Sequence, residues 1–170
     1  YTLESGYGSA ITVEGGGFLL NNEMGDFNAG PGLTNDQGLI GTVPNLARPE
    51  QRMLSSMSPS IVAKDGELVA VVGSPGGRTI INTVLQVILN VVEFDMNIQE
   101  AVNAARFHHQ WLPDQIRIEQ DGVGSATVAE LERLGHTVSV RGSQGRASSI
   151  MVDPLTGDRL GAADPRNEDA

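Results

Sequence analysis

The chain has 170 residues, enough for one domain with a real core and too few to expect two. Its 21 Asp and Glu outweigh 11 Lys and Arg, a formal charge of −10, which argues against nucleic acid or an anionic membrane as partner because both require basic patches. Cysteine is absent, so disulfides, Cys-ligated zinc and thiol nucleophiles are excluded, and with aromatics at 4 % the core must rest on Val, Ile, Leu and Ala.

The opening stretch YTLESGYGSAITV reads as a strand already under way, with no basic-then-apolar signal segment, so the chain is expected to be a cut or processed product. SAITVEGGGFLLNN predicts two short β runs around Gly15, Gly16 and Gly17. Residues 28–49 show no sustained period and are rich in Gly, Pro, Asn and Asp, the pattern of a long ordered loop or lid. SIVAKDGELVAVVGS predicts a hairpin turning on Asp65 and Gly66. In the segment that follows, Thr79, Asn82, Thr83, Gln86 and Asn90 recur three or four apart among aliphatic residues. That spacing predicts a helix buried on most of its circumference, with a narrow polar stripe.

Asn97 with Glu100 forms a capping-box pattern ahead of EAVNAARF. QIRIEQ predicts a strand, ATVAELERLG a helix closed by Gly135, HTVSV a strand, and SSIMVDPLTGDRLGAAD a final hairpin. The longest apolar run, VLQVILNVV, is interrupted and far shorter than a membrane span. Hairpin-linked strands with helices grouped between them suggest an α+β fold, an antiparallel sheet packed under helices.

Three groups of residues carry chemistry. Ser74, Pro75, Gly76 and Gly77 precede the long helix, where amide groups are unpaired and the helix end is partially positive. Two successive residues without Cβ let a ligand oxygen reach those amides, as in an oxyanion hole; a tight strand-to-helix turn is the plainer alternative. Ser55 and Ser56 are adjacent hydroxyls, with Arg52 near in sequence, able to donate to a carboxylate or to serve only as a turn. Glu23 and Asp26 open the long loop and could hold an ammonium group, or simply face solvent. His108, His109 and Asp114 raise a metal site, but adjacent histidines point apart on a regular element, and Phe107 and Trp111 make packing the more natural role.

Five blocks in order, LLNNEMGDF, LSSMSPSIV, GSPGGRTIINTVLQVILN, RFHHQWLPD and GAADPR, resemble the small subunit of γ-glutamyltranspeptidases (glutathione hydrolases) along nearly the whole chain. The resemblance implies an N-terminal-nucleophile hydrolase with an αββα sandwich, residues 1–170 being a single small-subunit domain of a processed heterodimer. A self-cleaving precursor would expose a threonine that attacks a γ-glutamyl amide with help from its own α-amine. Gly76 and Gly77 would form the oxyanion hole, and Ser55 and Ser56 would bind the donor α-carboxylate. Asp26, Glu23 and Glu4 would hold the α-amino group, and Thr2 would hydrogen-bond the nucleophile.

The resemblance further implies a large-subunit partner from the same precursor, an amino acid, a peptide or water as acceptor, no cofactor, no metal, and a periplasmic or extracellular location. The family's nucleophile block lies upstream of Tyr1, so the chain alone is expected to be inactive. Glu4 stands where many members have Asn, and Gln37 lies about where some carry a lid tyrosine. Two alternatives are a cephalosporin-type acylase of the same fold, which does not need the Glu23–Asp26 pair, and a catalytically dead fragment or interaction domain.

Overall fold

The computed structural model describes residues 3–120 and 122–167. The chain divides into two compact units, Tyr1–Ser55 and Ser56–Ala170. The first is built from turns rather than extended sheet. The glycine-rich hairpin expected near its start is reduced to one antiparallel bridge, Thr12 with Leu19, with Val13 N–H donating to the Phe18 carbonyl at 2.9 Å. Its flanking residues are mostly exposed, so no buried face drives longer pairing. The 28–49 stretch is the expected loop, pinched by a parallel bridge between Asn28 and Leu46 and holding one short 3₁₀ turn, Val43–Asn45.

The second unit contains the layers. Strands β1 (Ser60–Lys64), β2 (Glu67–Gly73), β6 (Ser148–Val152) and β7 (Arg159–Ala162) form an antiparallel sheet in the order β1-β2-β6-β7. The β1–β2 turn has Asp65 at φ 53° and Gly66 at φ 90°, the left-handed pair that a two-residue hairpin needs. A smaller sheet, β3 (Phe107–His108), β4 (Ile116–Glu119) and β5 (Val138–Arg141), departs from the antiparallel expectation. Its β4 and β5 run parallel because helix α3 (Ser125–Arg133) crosses over between them.

Helices α1 (Ile80–Val92) and α2 (Ile98–Asn103) cover one face of the larger sheet, and the predicted Asn97–Glu100 capping box starts α2. Ala70 and Val72 of β2, Ile80, Val84 and Val87 of α1, and Ile98, Ala101 and Val102 of α2 make one core. Each fully buried Val or Ile there contributes about 1.5–3 kcal/mol.

The orientation of α1 differs from the expectation. Its polar residues turn inward: Gln86 Nε2 donates to the Phe107 carbonyl at 2.8 Å and Asn90 Nδ2 to the Ala101 carbonyl at 3.2 Å. Ile81, Leu85, Leu89 and Val92 form the exposed stripe instead. The polar side chains satisfy backbone carbonyls of neighbouring segments that have no strand partner, which outweighs burying a few more methyl groups. The uncovered face of the larger sheet is apolar too, with Ile61, Val71 and Ile150 in one cross-strand row and all exposed.

Four charged groups meet inside the second unit, Arg106, Glu119 and Asp164 buried and Arg166 half-buried. Arg106, 2 % exposed, pairs with Asp164, 0 % exposed, at 2.8 Å. Arg166 pairs with Glu119 at 2.5 Å and with Asp164 at 3.2 Å. The guanidiniums also donate to the Val102 and Ala104 carbonyls at the end of α2, and Asp164 accepts the Ala147 N–H. Burial alone would raise the Asp164 carboxyl; hydrogen bonds from the Arg166 amide, the Arg106 side chain and the Ala147 amide outweigh it and hold it below its ordinary 3.8. Glu119 is likewise held below 4.5, burial being overcome by Arg166 and the Gln144 and Arg106 amides.

Depressed carboxyl groups contribute stability that is present above their unfolded values and lost as pH falls through their folded ones. Urea denaturation is therefore expected to show stability dropping once pH falls below 3.8–4.5. Asp164→Ala, which strands Arg106, should cost about 3–5 kcal/mol at neutral pH and flatten that acid dependence.

Candidate active site

The turn between β2 and α1 is built around two glycines in left-handed backbone. Gly76 has φ 140°, and a Cβ there would lie 2.6 Å from Thr79 Oγ1 and 3.4 Å from Gly145 Cα. Gly77 has φ 56°, and a Cβ there would meet nothing within 4 Å. The first glycine is thus required by close packing, and the second faces open space. Thr79 holds the turn, donating to the Gly76 carbonyl from N at 3.1 Å and from Oγ1 at 2.9 Å. That carbonyl is therefore committed, while the Gly76 and Gly77 N–H groups donate to no acceptor among the described residues. They lie where the helix dipole favours negative charge.

The loop behind the turn is rigidly tied. Gln144 donates from its backbone N–H to Glu119 at 2.7 Å and from Nε2 to the Phe107 carbonyl at 2.9 Å, and its own carbonyl accepts Arg106 at 2.9 Å. Arg146 N–H donates to Ser74 Oγ at 3.0 Å, which donates on to the Pro75 carbonyl at 2.7 Å. The buried charges therefore fix the surface against which Gly76 packs. A cavity of about 550 Å³ opens beside it, lined in part by Gly76, Thr79, Arg117, Arg141 and Gly145.

Two carboxylates of the first unit, Glu23 and Asp26, sit on one 3₁₀ turn, Glu23–Asp26. Glu23 is buried at 1 % exposure, its N–H donating to Asn21 Oδ1 at 3.0 Å. The Glu4 carboxylate lies over Gly25, since a Cβ on that glycine would meet both Glu4 oxygens at 3.9–4.0 Å. Glu4 itself has φ 56°, a conformation that costs a non-glycine residue of order 1 kcal/mol. Burial, and then the charge of Glu23, raise the Asp26 carboxyl above its ordinary 3.8. Glu23 and Asp26 thus share one short turn, with the Glu4 carboxylate over Gly25 between them in sequence.

The sequence-derived candidates thus fall into two sets, Glu4, Glu23, Asp26 and Ser55 in the first unit and Ser56, Gly76 and Gly77 in the second. Ser55 is exposed and Ser56 half-buried, on either side of the boundary. Thr2 lies outside the described residues. His108 is buried against Gln110 Oε1 at 2.8 Å, while the exposed His109 meets Asp114 at 3.0 Å, so the two rings serve separate contacts. No group of three ligand-type side chains that could hold a metal occurs among the described residues.

Sequence reasoning missed the buried Arg106–Asp164–Arg166–Glu119 cluster. The block GAADPR contains two of its members, but a charged residue near a chain end reads as solvated until its partners are seen. It also missed Gln144, whose role depends entirely on where Glu119 points.

A helix-covered antiparallel sheet bearing a double-glycine turn at a helix start defines the class: an α+β fold of the N-terminal-nucleophile hydrolase type. The family model described as Gamma-glutamyltranspeptidase matches residues 1–170. The glutathione hydrolase proenzyme of Escherichia coli is 48 % identical over 169 residues, covering 99 % of this chain and 29 % of that protein. A crystal structure of Helicobacter pylori γ-glutamyltranspeptidase superposes with TM-score 0.86 at 48 % identity, covering 98 % of this chain and 91 % of that one. The chain belongs to the γ-glutamyltranspeptidase family.

It spans about three tenths of the length of the curated relatives it matches. The cephalosporin acylase of Bacillus halodurans shares the fold at TM-score 0.75 but only 26 % identity, so the acylase alternative is not favoured.

The local electrostatics are directly measurable. In an NMR titration the Asp26 carboxyl is expected to titrate above 3.8, and Glu23→Gln to move it down without restoring it fully, because burial acts first. An unmoved Asp26 would show that the Glu23 charge does not act on it.

Proposed function

We propose that this chain is the small-subunit part of a γ-glutamyltransferase and glutathione hydrolase, active when assembled with the large subunit of the same precursor. The observation that supports it most is its likeness to glutathione hydrolase proenzymes along nearly its entire length. Two uncovered apolar surfaces favour a subunit partner: the Ile61–Val71–Ile150 row, suited to a second sheet stacked about 10 Å away, and the Ile81–Leu85–Leu89–Val92 stripe of α1. The location proposed is periplasmic or extracellular, on family grounds; no helix among the described residues is long and apolar enough to cross a membrane.

In this reading the donor's α-ammonium binds Asp26, Glu23 and Glu4, and its α-carboxylate binds Ser55 and Ser56. A threonine outside residues 1–170 adds its hydroxyl oxygen to the γ-carbonyl carbon while its own α-amine takes the hydroxyl proton. The carbonyl oxygen becomes an oxyanion and accepts hydrogen bonds from the Gly76 and Gly77 amides, with Thr2 holding the nucleophile by a hydrogen bond. The C–N bond then breaks, the leaving amine collecting the proton, and a γ-glutamyl ester remains. Water or the amine of an acceptor attacks that ester, loses a proton to the same base and releases the threonine.

The assembled full-length protein should release aniline chromophore from a γ-glutamyl anilide. Gly77→Ala should lower kcat about 10²–10³-fold through loss of carbonyl approach. A methyl there meets no atom, so the cost to stability should stay near the 1–2 kcal/mol of a left-handed alanine. Full activity in Gly77→Ala would assign the glycines to the turn alone.

A further inference from the structure

Asn45 closes the Val43–Asn45 turn and is half-buried, with both ends of its side-chain amide engaged. Its Nδ2 donates to the Asp26 carbonyl at 2.6 Å and reaches Asn28 Oδ1 at 3.3 Å. Its Oδ1 accepts the Leu54 N–H at 3.0 Å. Its backbone carbonyl accepts the Asn28 N–H at 2.8 Å. One side chain therefore joins the backbone of Asp26, the neck of the 28–46 loop and the residue immediately before Ser55. All of these contacts lie within the first unit.

An amide is the side-chain group that offers a donor and an acceptor on one short planar fork. Aspartate of the same shape would still accept from Leu54 but would turn an acceptor toward the Asp26 carbonyl. Alanine would release both sides. The loop neck keeps a second clasp in either case, since Asn28 Nδ2 donates to the Thr42 carbonyl at 2.6 Å and to Thr42 Oγ1 at 2.7 Å. Loss of Asn45 thus loosens the connection between Asp26 and Ser55 more than it loosens the loop.

We propose that Asn45 is a positioning residue for the donor. It fixes the separation between the Asp26 carboxylate and the Ser55 hydroxyl, and so selects donors that carry an ammonium and a carboxylate on one carbon. The inference rests on the donor site proposed above. A zwitterionic head group has its two charges at one set distance, so the second anchor adds affinity only when the first leaves it within reach. Slack of about 1 Å between the anchors is enough to lose much of that gain. A donor with only one of the two charges is insensitive to the separation.

The test uses the assembled full-length enzyme and three anilides: γ-glutamyl, glutaryl (no α-amine) and 4-aminobutyryl (no α-carboxylate), with kcat and KM measured separately. The wild type should prefer the γ-glutamyl donor. Asn45→Ala and the isosteric Asn45→Asp should each raise its KM about tenfold or more, the weight of one or two lost hydrogen bonds, while kcat stays within about threefold. KM for the two single-charge donors should hardly move, so the preference collapses.

A preference retained in both variants overturns the proposal, as does an equal rise in KM for all three donors with a fall in kcat, which marks a general structural role. If Asn45→Ala does not mature, Asn45→Asp decides. A wild type that cleaves all three donors equally overturns the donor site itself, and the proposal with it.

Discussion

Two arginines and two carboxylates, removed from water where α2, β4 and the last segment of the second unit meet, are the constraint on which that unit depends. Each ion loses several kcal/mol of hydration on burial, and only a complete set of partners recovers it. The set is well supplied: Arg106 and Arg166 reach the carbonyls at the end of α2, and Glu119 and Asp164 collect backbone amides from three separate segments. An arrangement of this kind tolerates little sliding, because moving any one segment leaves a charge short of a partner. Asp164 and Arg166 thereby tie the last described segment to α2 and β4.

That rigidity reaches the surface through Gln144. Its backbone and side chain are both bound to the cluster and its neighbours, and the following Gly145 packs against Gly76. The double-glycine turn thus has a fixed floor behind it, with Thr79 closing it in front. A site that stabilises a developing oxyanion gains from donors that are already aimed and need not reorganise. In the first unit Asn45 does the corresponding work with neutral groups, which suits a region made of turns. There Glu23 and Asp26 share one turn, and burial followed by the Glu23 charge raises the Asp26 carboxyl.

Most of the second unit was legible in the sequence because its signals are local. Asp65-Gly66 specifies a tight turn, Asn97 with Glu100 a helix start, and the last two strands alternate around a short turn. The aim of α1 was not legible. Periodicity reports that polar residues share a face, but not whether that face meets water or unpaired carbonyls; Gln86 and Asn90 chose the carbonyls. The parallel β4–β5 pair was hidden for a similar reason, since strand direction depends on which neighbour α3 returns to.

Among the candidate residues, Glu23, Asp26, Gly76 and Gly77 stand out in the sequence by type and position, and Glu4 only through the family resemblance. Asn45, Glu119 and Gln144 act through contacts 9–47 residues away in sequence, and no local pattern announces them.

The central claim, that the assembled protein forms a γ-glutamyl ester and resolves it with water or an amine, is tested most directly by intact mass. The maturation products are mixed with a γ-glutamyl donor, quenched in acid within the first turnover and weighed subunit by subunit. A mass gain of one γ-glutamyl group on the subunit containing this sequence, disappearing when an acceptor amino acid is added before the quench, is the predicted result. Donor cleavage with no covalent gain on either subunit, or a gain confined to the other subunit, would contradict it.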